Sequence, residues 1–359
     1  MKKYLLFGPS SVISHNLGDE AYLLGCIEKM QDGKILLITS EKTQLDFLKK
    51  YKNIDFLISG KGKIRNILIF LRFLKIGRFS GIYHVGADCL DGKWGKMSHA
   101  GILIFLMSPV IARETKIISF SFTKTVFRRN KYILQYLSKF AHFYPRDSMS
   151  MKNIQQEYGI ENISLASDTS FLVRRENDIP SEASRWIKKQ KIDGKKVIMI
   201  CLEKRPTIQD MEIFMRRLAD EVNSWENWSV CVVRHTFDET NHRISENLLE
   251  LITQEKIYFN IQNVNIVRRI TEEMNLVVSC LMHCGLGAVA MGIPVLVLDY
   301  FGKATGLFND LNLEKYVCQN EGDFIPRMRG LRDNLNKAKQ DILSAREIGY
   351  NRAMKIFKD

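Results

Sequence analysis

The stretch that decides the fold reads Ser279-Cys280-Leu281-Met282-His283-Cys284-Gly285-Leu286-Gly287-Ala288-Val289-Ala290-Met291-Gly292-Ile293-Pro294. It follows a short apolar run that ends at Ser279, which is typical of a strand buried in a parallel sheet. The small residues after His283 predict a helix, and Gly292-Ile293-Pro294 predicts a turn into the next strand. The stretch therefore predicts a strand–helix–strand unit whose helix begins at His283.

The same alternation of apolar runs and amphipathic segments extends over most of the chain. Strands are predicted at residues 3–7, 34–39, 56–59, 81–85, 116–122, 140–144, 163–166, 197–202, 228–234, 257–259, 276–279 and 294–298. Helical patterns lie between them, as the crossovers of a parallel sheet require. The segment 174–196 is polar, contains Pro and Gly, and divides the series into two halves.

These patterns predict an α/β protein with two Rossmann-like domains that face a cleft, an arrangement that is GT-B-like. The predicted domains are residues 1–178 and 179–340, followed by a C-terminal helix over residues 341–359. Ligands of open parallel sheets bind beyond the carboxyl ends of the strands. The loops that follow strands, on either side of the cleft, are therefore where we expect the chemistry.

Composition narrows the class of protein. The 359 residues suit two domains, and 45% hydrophobic with 26% charged residues exclude global disorder. The net charge of +13 favours anionic ligands or lipid headgroups, but no zinc-finger spacing or RNA-binding motif is present, so no nucleic-acid partner is expected.

Targeting and redox signals indicate a cytoplasmic protein. The odd number of cysteines, 7, favours reduced thiols, and Cys280 and Cys284 lack a second pair that would complete a metal site. The N-terminal apolar run stops at Gly8-Pro9 and is interpreted as a first strand, not a signal peptide. The apolar residues 101–112 cover about half of the roughly 20 residues that a membrane helix needs.

The helix that begins at His283 is the strongest candidate site. A helix N-terminus of small residues presents backbone N–H groups to a phosphate or carboxylate, and an imidazole there can donate a proton. Ser279 ends the preceding strand, and Lys303, after the following strand, can neutralise the same anion. The alternative is a core histidine beside a tight turn.

Two groups of residues in the N-terminal half have a functional and a structural interpretation of equal weight. Gly18 permits close backbone approach, and Asp19 either faces a sugar hydroxyl as a general base or simply favours the helix dipole. Asp88 and Asp91 either hold sugar hydroxyls or stabilise a turn.

Two further groups follow strands. Arg146-Asp147 is interpreted as either an ion pair with a helix cap or part of a site. Arg234 and His235 either present positive charge to an anion or serve the structure.

Taken together, these residues resemble the polysaccharide pyruvyl transferase family. Ser279-x-x-x-His283, Ala290-Met291-Gly292-Ile293-Pro294 and Tyr300-x-x-Lys303 resemble its C-terminal signature, and Asn16-x-Gly18-Asp19 its N-terminal motif. Gly86-x-x-x-Leu90, Arg146-Asp147-x-x-Ser150, Asp168 and His235-x-x-Asp238 fall in the order that the family shows.

The resemblance implies a GT-B-like fold and transfer of an enolpyruvyl unit from phosphoenolpyruvate to a sugar. The acceptor would belong to a cell-surface polysaccharide or its lipid-linked precursor, the product would be a pyruvate ketal, and phosphoenolpyruvate would be a co-substrate with no further cofactor or metal. The N-terminal domain would hold the acceptor and the C-terminal domain the donor. Implied roles are donor binding for Arg234, His235, Ser279, His283 and Lys303, acceptor binding for Asn16, Asp19, Asp88 and Asp91, and catalysis for His283 as acid and Asp19 as base.

One departure from the family pattern bears on the donor. Leu281 stands where the family usually has an arginine, and the family's glycine cluster is reduced to Gly86-Ala87-Asp88. Lys204, Arg205 or Arg234 could supply the missing cation. The alternatives are a GT-B nucleotide-sugar glycosyltransferase and a non-catalytic relative in glycan assembly.

The segment 61–78 is apolar and carries six basic residues. It either lies on an anionic leaflet, where lipid-linked glycans are built, or forms a crossover helix with solvated basic ends. The first reading predicts peripheral contact with the inner face of the membrane.

Overall fold

The computed structural model describes residues 1–7, 16–40, 48–59, 70–72, 74–75, 77–86, 99–124, 128–174, 179–204, 208, 210–236, 238–299 and 302–358. They form two compact units. Unit 1 consists of Met1–His15, Asp19–Val173 and Asn351–Asp359, and unit 2 of Asn16–Gly18 and Arg174–Tyr350.

Unit 1 is built on a parallel six-stranded sheet. Its strands are β1 (Lys2–Phe7), β2 (Gly33–Ser40), β3 (Ile54–Ser59), β4 (Gly81–Val85), β5 (Thr115–Phe120) and β6 (His142–Pro145), in the order β3-β2-β1-β4-β5-β6. The helices are α1 (Leu17–Lys29), α2 (His99–Ile111), α3 (Arg128–Leu137) and α4 (Ser148–Tyr158), with a 3-10 turn at Thr169–Leu172. β5 is buried along its whole length, as expected of a central strand covered on both faces.

Unit 2 repeats this plan. Its strands are β7 (Lys196–Cys201), β8 (Trp228–Val233), β9 (Lys256–Phe259), β10 (Leu276–Ser279), β11 (Val295–Leu298) and β12 (Val317–Cys318), in the order β12-β11-β10-β7-β8-β9. The helices are α5 (Ser181–Ile192), α6 (Met211–Asn223), α7 (Glu239–Leu251), α8 (Val264–Thr271), α9 (Met282–Met291), α10 (Lys303–Asp310), α11 (Glu321–Asp333) and α12 (Leu335–Lys355). The predicted α/β class with two Rossmann-like domains is confirmed.

The strand orders fix where each unit can bind a ligand. In unit 1 the direction of strand progression reverses between β1 and β4, and in unit 2 between β7 and β10. Ligands of open α/β sheets bind beyond the carboxyl ends of the strands at this reversal. In unit 2 these ends carry the loops that begin at Leu202 and Cys280.

Two strand predictions need correction. Residues 163–166 form no strand, because only Ile163 makes a bridge, to Phe143. β12 was not predicted, since two residues leave no apolar run to recognise; it pairs with β11 through Val297–Val317 and Leu298–Cys318.

Two short segments do not belong to the unit that the predicted boundary between residues 178 and 179 gives them. Asn16–Gly18 belongs to unit 2 because the Leu17 N–H donates to the His235 carbonyl at 3.2 Å. Asn351–Asp359 belongs to unit 1, where Lys116 Nζ donates to the Ile356 carbonyl at 3.0 Å. The last helix, α12, begins at Leu335, ahead of the predicted residue 341.

Within the described residues, no helix combines the length and apolarity needed to cross a bilayer. Six cysteines in the described part of the chain are buried, and none of the six is part of a disulfide.

Candidate functional site

The helix that follows β10 begins at Met282, one residue before the predicted start at His283. Ser279 is the last residue of β10, and its Oγ accepts the Leu281 N–H at 2.9 Å, which turns the chain sharply into α9. His283 is the second residue of α9, and Leu281 at the N-cap supplies no side-chain hydrogen bond to the first turn. The N-terminus of α9 therefore lies at the strand reversal of unit 2, and the Leu281 side chain does not cap it.

The segment Asn16–Gly18 lies against His283. A Cβ placed on Gly18 would lie 2.5 Å from Cγ of the His283 ring, so only a glycine fits there without displacing the ring. Asn16 Oδ1 accepts the Gly18 N–H at 2.8 Å, and Asn16 forms a bridge with Thr236. Unit 2 thus brings together Asn16, Gly18, His235 and His283, which are far apart in the sequence.

His235 is a buried histidine whose pKa is strongly lowered. Burial, followed by the positive electrostatic influence of His283 and Arg268, lowers the pKa of His235 to about 3. The ring is therefore neutral at neutral pH, which does not favour the alternative in which His235 presents positive charge to an anion. A neutral imidazole can still donate or accept a hydrogen bond.

Arg268 is a buried cation that the sequence analysis missed. It lies on α8 and is only 3% exposed. Its charge reaches His235, since it contributes to the lowered pKa of that ring. In the sequence Arg268 looks like a solvated helix residue, because its neighbour Arg269 is also basic and pairs with Glu272 and Glu273 just after the helix.

Arg234 is held within the framework of unit 2. Its guanidinium donates to the Asp238 carbonyl at 3.2 Å and to Asn260 Oδ1 at 2.8 Å, which joins the loops after β8 and β9. Asp238 in turn caps α7 by accepting the Asn241 N–H at 2.8 Å.

Two further buried polar residues, Glu203 and Asn241, lie at the loop after β7. Glu203 follows β7, is 8% exposed, and accepts from Asn241 Nδ2 at 3.0 Å. Asn241 Oδ1 accepts the Lys204 N–H at 3.0 Å, so the loop after β7 is tied to α7. In the sequence, the position of Glu203 just after a buried strand would have marked it as a candidate site residue.

Lys303 opens the next helix. It is the first residue of α10, preceded by Gly302 with a φ of 72°. Asp299 fixes this turn by accepting the Thr305 N–H at 2.7 Å and its hydroxyl at 2.8 Å. Tyr300 and Arg205 lie outside the described residues.

Two buried thiols lie beside this region. Cys201 ends β7 and shares a hydrogen bond with Cys284 on α9. Hydrogen bonds from Cys201 and Ser279 hold the pKa of the Cys284 thiol below its usual range. Among the residues that the structure describes, no three His, Cys, Asp or Glu side chains are grouped to hold a metal ion.

In unit 1, Asp19 is a buried carboxylate with a defined hydrogen bond. It accepts from the Tyr22 hydroxyl at 2.5 Å. Gly86, with a φ of 59°, lies directly against the Tyr22 ring, since a Cβ there would be 2.3 Å from Cε2. The Asp19–Tyr22–Gly86 contact lies beyond β4, next to the strand reversal of unit 1.

Glu20, the neighbour of Asp19, is a second buried carboxyl group. Burial, and then the charge of Asp19, raise the pKa of Glu20 to about 8. The predicted acceptor residues Asp88 and Asp91 lie outside the described residues.

Arg146 forms an ion pair and Asp147 a helix cap, as one of the two interpretations left open by the sequence expects. Arg146 pairs with the buried Asp168 at 3.4 Å and donates to Ser121 Oγ at 2.8 Å. Asp147 caps α4, accepting the Ser150 N–H at 2.7 Å.

Three solved structures that match the chain contain UDP or UDP-GlcNAc. The chain matches S. aureus MnaA in a co-structure with UDP (13% identity, TM-score 0.66, 99% of this chain and 94% of that chain). It also matches Anabaena Alr3699/HepE in complex with UDP (12% identity, TM-score 0.63, 100% of this chain and 98% of that chain). A third match is UDP-GlcNAc 2-epimerase from Neisseria meningitidis bound to UDP-GlcNAc (14% identity, TM-score 0.60, 99% of this chain and 98% of that chain). At these identities the likeness establishes the fold, which is of the GT-B type.

The family follows from the sequence. The model of the polysaccharide pyruvyl transferase family matches residues 16–301, and the chain belongs to this family. The match begins at Asn16, where the segment that lies against His283 begins. A comparison with curated proteins finds no match.

Proposed function

We propose that the protein transfers an enolpyruvyl unit from phosphoenolpyruvate to a sugar of a cell-surface polysaccharide or its lipid-linked precursor. Family membership supports pyruvyl transfer in general. The observation that carries the donor assignment is His283 at the uncapped start of α9, with the buried cation Arg268 acting on the adjacent His235. Phosphate and carboxylate both favour such a helix terminus and an arginine.

The proposed reaction forms a ketal from two hydroxyls of one sugar. The central carbon of phosphoenolpyruvate gains two bonds to sugar oxygens and loses its bond to the phosphate oxygen. One hydroxyl proton ends on the methylene carbon, which becomes a methyl group, and the other leaves with the phosphate. His283 is proposed as the acid and Asp19 as the base that accepts a hydroxyl proton.

The remaining roles are assigned by position. Ser279 shapes the turn before α9, and Lys303 begins the helix after the next strand, where its charge can pair with the anion. His235 acts as a neutral hydrogen-bonding group. Asn16 fixes the Gly18 backbone, and Asp88 and Asp91 stay proposed acceptor residues.

Arg268 is proposed to replace the arginine that the family carries where this chain has Leu281. A buried guanidinium can pair with two oxygens of a carboxylate or phosphate, which a lysine cannot do. Arg268→Gln should raise KM for phosphoenolpyruvate by roughly tenfold or more. Arg269→Gln, the adjacent arginine that pairs with Glu273, is the matched control and should leave KM unchanged.

The transfer is tested by phosphate release from phosphoenolpyruvate with an acceptor glycan. His283→Ala should abolish release, while His242→Ala, a half-buried histidine on α7, should not. Full activity of the His283→Ala variant would refute the site.

A GT-B nucleotide-sugar transferase is the second candidate, because two of the matched structures hold UDP and a third holds UDP-GlcNAc. Thermal stabilisation by a UDP-sugar but not by phosphoenolpyruvate would favour it over pyruvyl transfer. Stabilisation by neither, with a co-purifying enzyme of glycan assembly, would favour a non-catalytic relative.

A further inference from the structure

Helix α2 of unit 1 has an unusual exterior. Its sequence, HAGILIFLMSPVI, has no Asp, Glu, Lys or Arg, yet the helix is not buried all round. Phe105, Ser108 and Ile111 face the core, at 0%, 1% and 5% exposure. A helix that is apolar on every side is normally enclosed by protein or lipid.

The outer face of α2 forms a continuous apolar stripe. Leu103, Leu106, Met107 and Val110 are spaced as i, i+3, i+4 and i+7, and they are 58%, 46%, 37% and 73% exposed. This spacing places all four on one side of the helix. Tyr132 on the neighbouring helix α3 is 56% exposed, and the Tyr136 hydroxyl donates to the Leu106 carbonyl at 3.0 Å, so α3 lies against this part of α2.

The stripe is bordered by basic residues. Arg78 donates to the Pro109 carbonyl at 2.6 Å, which places its charge at the C-terminal end of α2. Arg113 follows α2 and Lys131 precedes Tyr132, and both are exposed. α3 adds no acidic residue. We call the four stripe residues, Tyr132, Arg78, Arg113 and Lys131 the α2 surface.

We infer that the α2 surface docks the protein onto an anionic lipid bilayer. Apolar side chains enter the boundary between headgroups and acyl chains, and the basic border pairs with anionic headgroups. The helix lies on the bilayer, because its 13 residues are well short of the roughly 20 that would span the hydrocarbon core.

Charge favours lipid over a second copy of the chain. In a symmetric dimer the same patch meets itself, so the basic border would face basic residues and repel them. An anionic bilayer complements the border along its whole length. The inference rests on unit 1 alone and goes beyond the proposed transfer, so it stands or falls independently of the donor.

The test is co-sedimentation with phosphatidylcholine vesicles that do or do not contain phosphatidylglycerol. The wild-type chain should pellet with the anionic vesicles and much less with neutral ones. Leu103→Ser/Val110→Ser should lower the partition coefficient by about tenfold. The matched control is Ile192→Ser/Ile213→Ser, which changes two apolar residues of unit 2 that are 84% and 49% exposed, and it should bind like the wild type.

A charge variant separates the two contributions. Arg113→Glu/Lys131→Glu should abolish the preference for anionic vesicles, whereas Lys188→Glu/Lys339→Glu, exposed lysines of unit 2, should retain it. Equal pelleting of the wild type and Leu103→Ser/Val110→Ser would overturn the inference. So would a wild-type dimer, seen by sedimentation velocity, that the same variant dissociates without any binding to vesicles. Unchanged thermal midpoints establish that all variants are folded.

Discussion

At the scale of single residues, Gly18 makes the most specific connection between sequence motif and site. The sequence explains it as a position of close approach, and unit 2 shows that the close neighbour is the His283 ring. The Gly18→Ala variant should therefore displace the imidazole and lower kcat/KM for phosphate release by roughly 100-fold. Its cost in stability should be about 1–3 kcal/mol, the usual penalty of overpacking.

A second glycine provides the control for Gly18. Gly287 lies in α9, and a Cβ there would meet nothing within 4 Å. Gly287→Ala should keep activity and raise the free energy of unfolding by up to about 1 kcal/mol, because alanine favours a helix interior over glycine. Normal activity of Gly18→Ala would mean that the position of His283 does not matter for the reaction.

Glu20 predicts a distinctive dependence of stability on pH. Its pKa is about 8 in the fold against 4.5 for an unperturbed carboxyl, so the native state keeps a proton that the unfolded state loses. Between these pH values the free energy of unfolding falls as pH rises, by up to about 1.4 kcal/mol per pH unit from this group. Glu20→Gln cannot ionise and should lose less stability between about pH 5 and about pH 8.

Thermal midpoints at the two pH values measure this effect. The exposed Glu182 on α5 supplies the control, and Glu182→Gln should follow the wild type. A Glu20→Gln curve parallel to the wild type would show that Glu20 is ionised in the native protein.

At the scale of elements, Arg146 adds an ionic contact between parts of unit 1 that are also joined by a hydrogen bond from the Thr169 N–H to Ser119 Oγ. It binds Asp168 before the 3-10 turn and Ser121 after β5. A lysine keeps the charge but cannot make both bonds, so Arg146→Lys should lower the free energy of unfolding by roughly 2 kcal/mol. KM for phosphoenolpyruvate should not change.

Arg216→Lys is the control for the arginine substitution. Its pair with Glu212 on α6 is exposed, at 59% and 68%, and should contribute less than about 0.5 kcal/mol. A raised KM for Arg146→Lys without a change in thermal midpoint would indicate a direct role in donor binding.

Elements also show why some local predictions succeed. Buried parallel strands are recognisable as runs of Ile, Val and Leu, and β4 and β10 begin and end where the sequence predicts. Residues 163–166 donate two backbone hydrogen bonds to β6, from the Ser164 and Ala166 N–H groups, but only Ile163 forms a bridge with it. Pairing depends on a partner strand, which a single run of residues does not reveal.

At the scale of the whole molecule, the sequence predicts the two sheets but not the contacts between distant segments. The start of α9 within one residue of His283 follows from local pattern alone. The contact of Gly18 with His283 and the buried position of Arg268 depend on tertiary packing, and neither has a local signature. The neutral state of His235 has no local signature either, since burial and the charges of His283 and Arg268 lower its pKa.

The C-terminus gives a prediction at this scale, because the end of the chain belongs to the N-terminal sheet. Phe357 stacks on Tyr83 of β4 with ring centroids 6.1 Å apart, and the Ile356 carbonyl accepts from the buried Lys116 of β5. Phe357→Ala should therefore destabilise unit 1 by about 2 kcal/mol, through loss of aromatic packing. Hydrogen exchange should accelerate in β4 and β5 and stay unchanged in β7 and β8. Lys358→Ala, which removes an exposed neighbour, should leave exchange in all four strands unchanged. Faster exchange in β7 and β8 with no change in β4 and β5 would contradict the assignment of Asn351–Asp359 to unit 1.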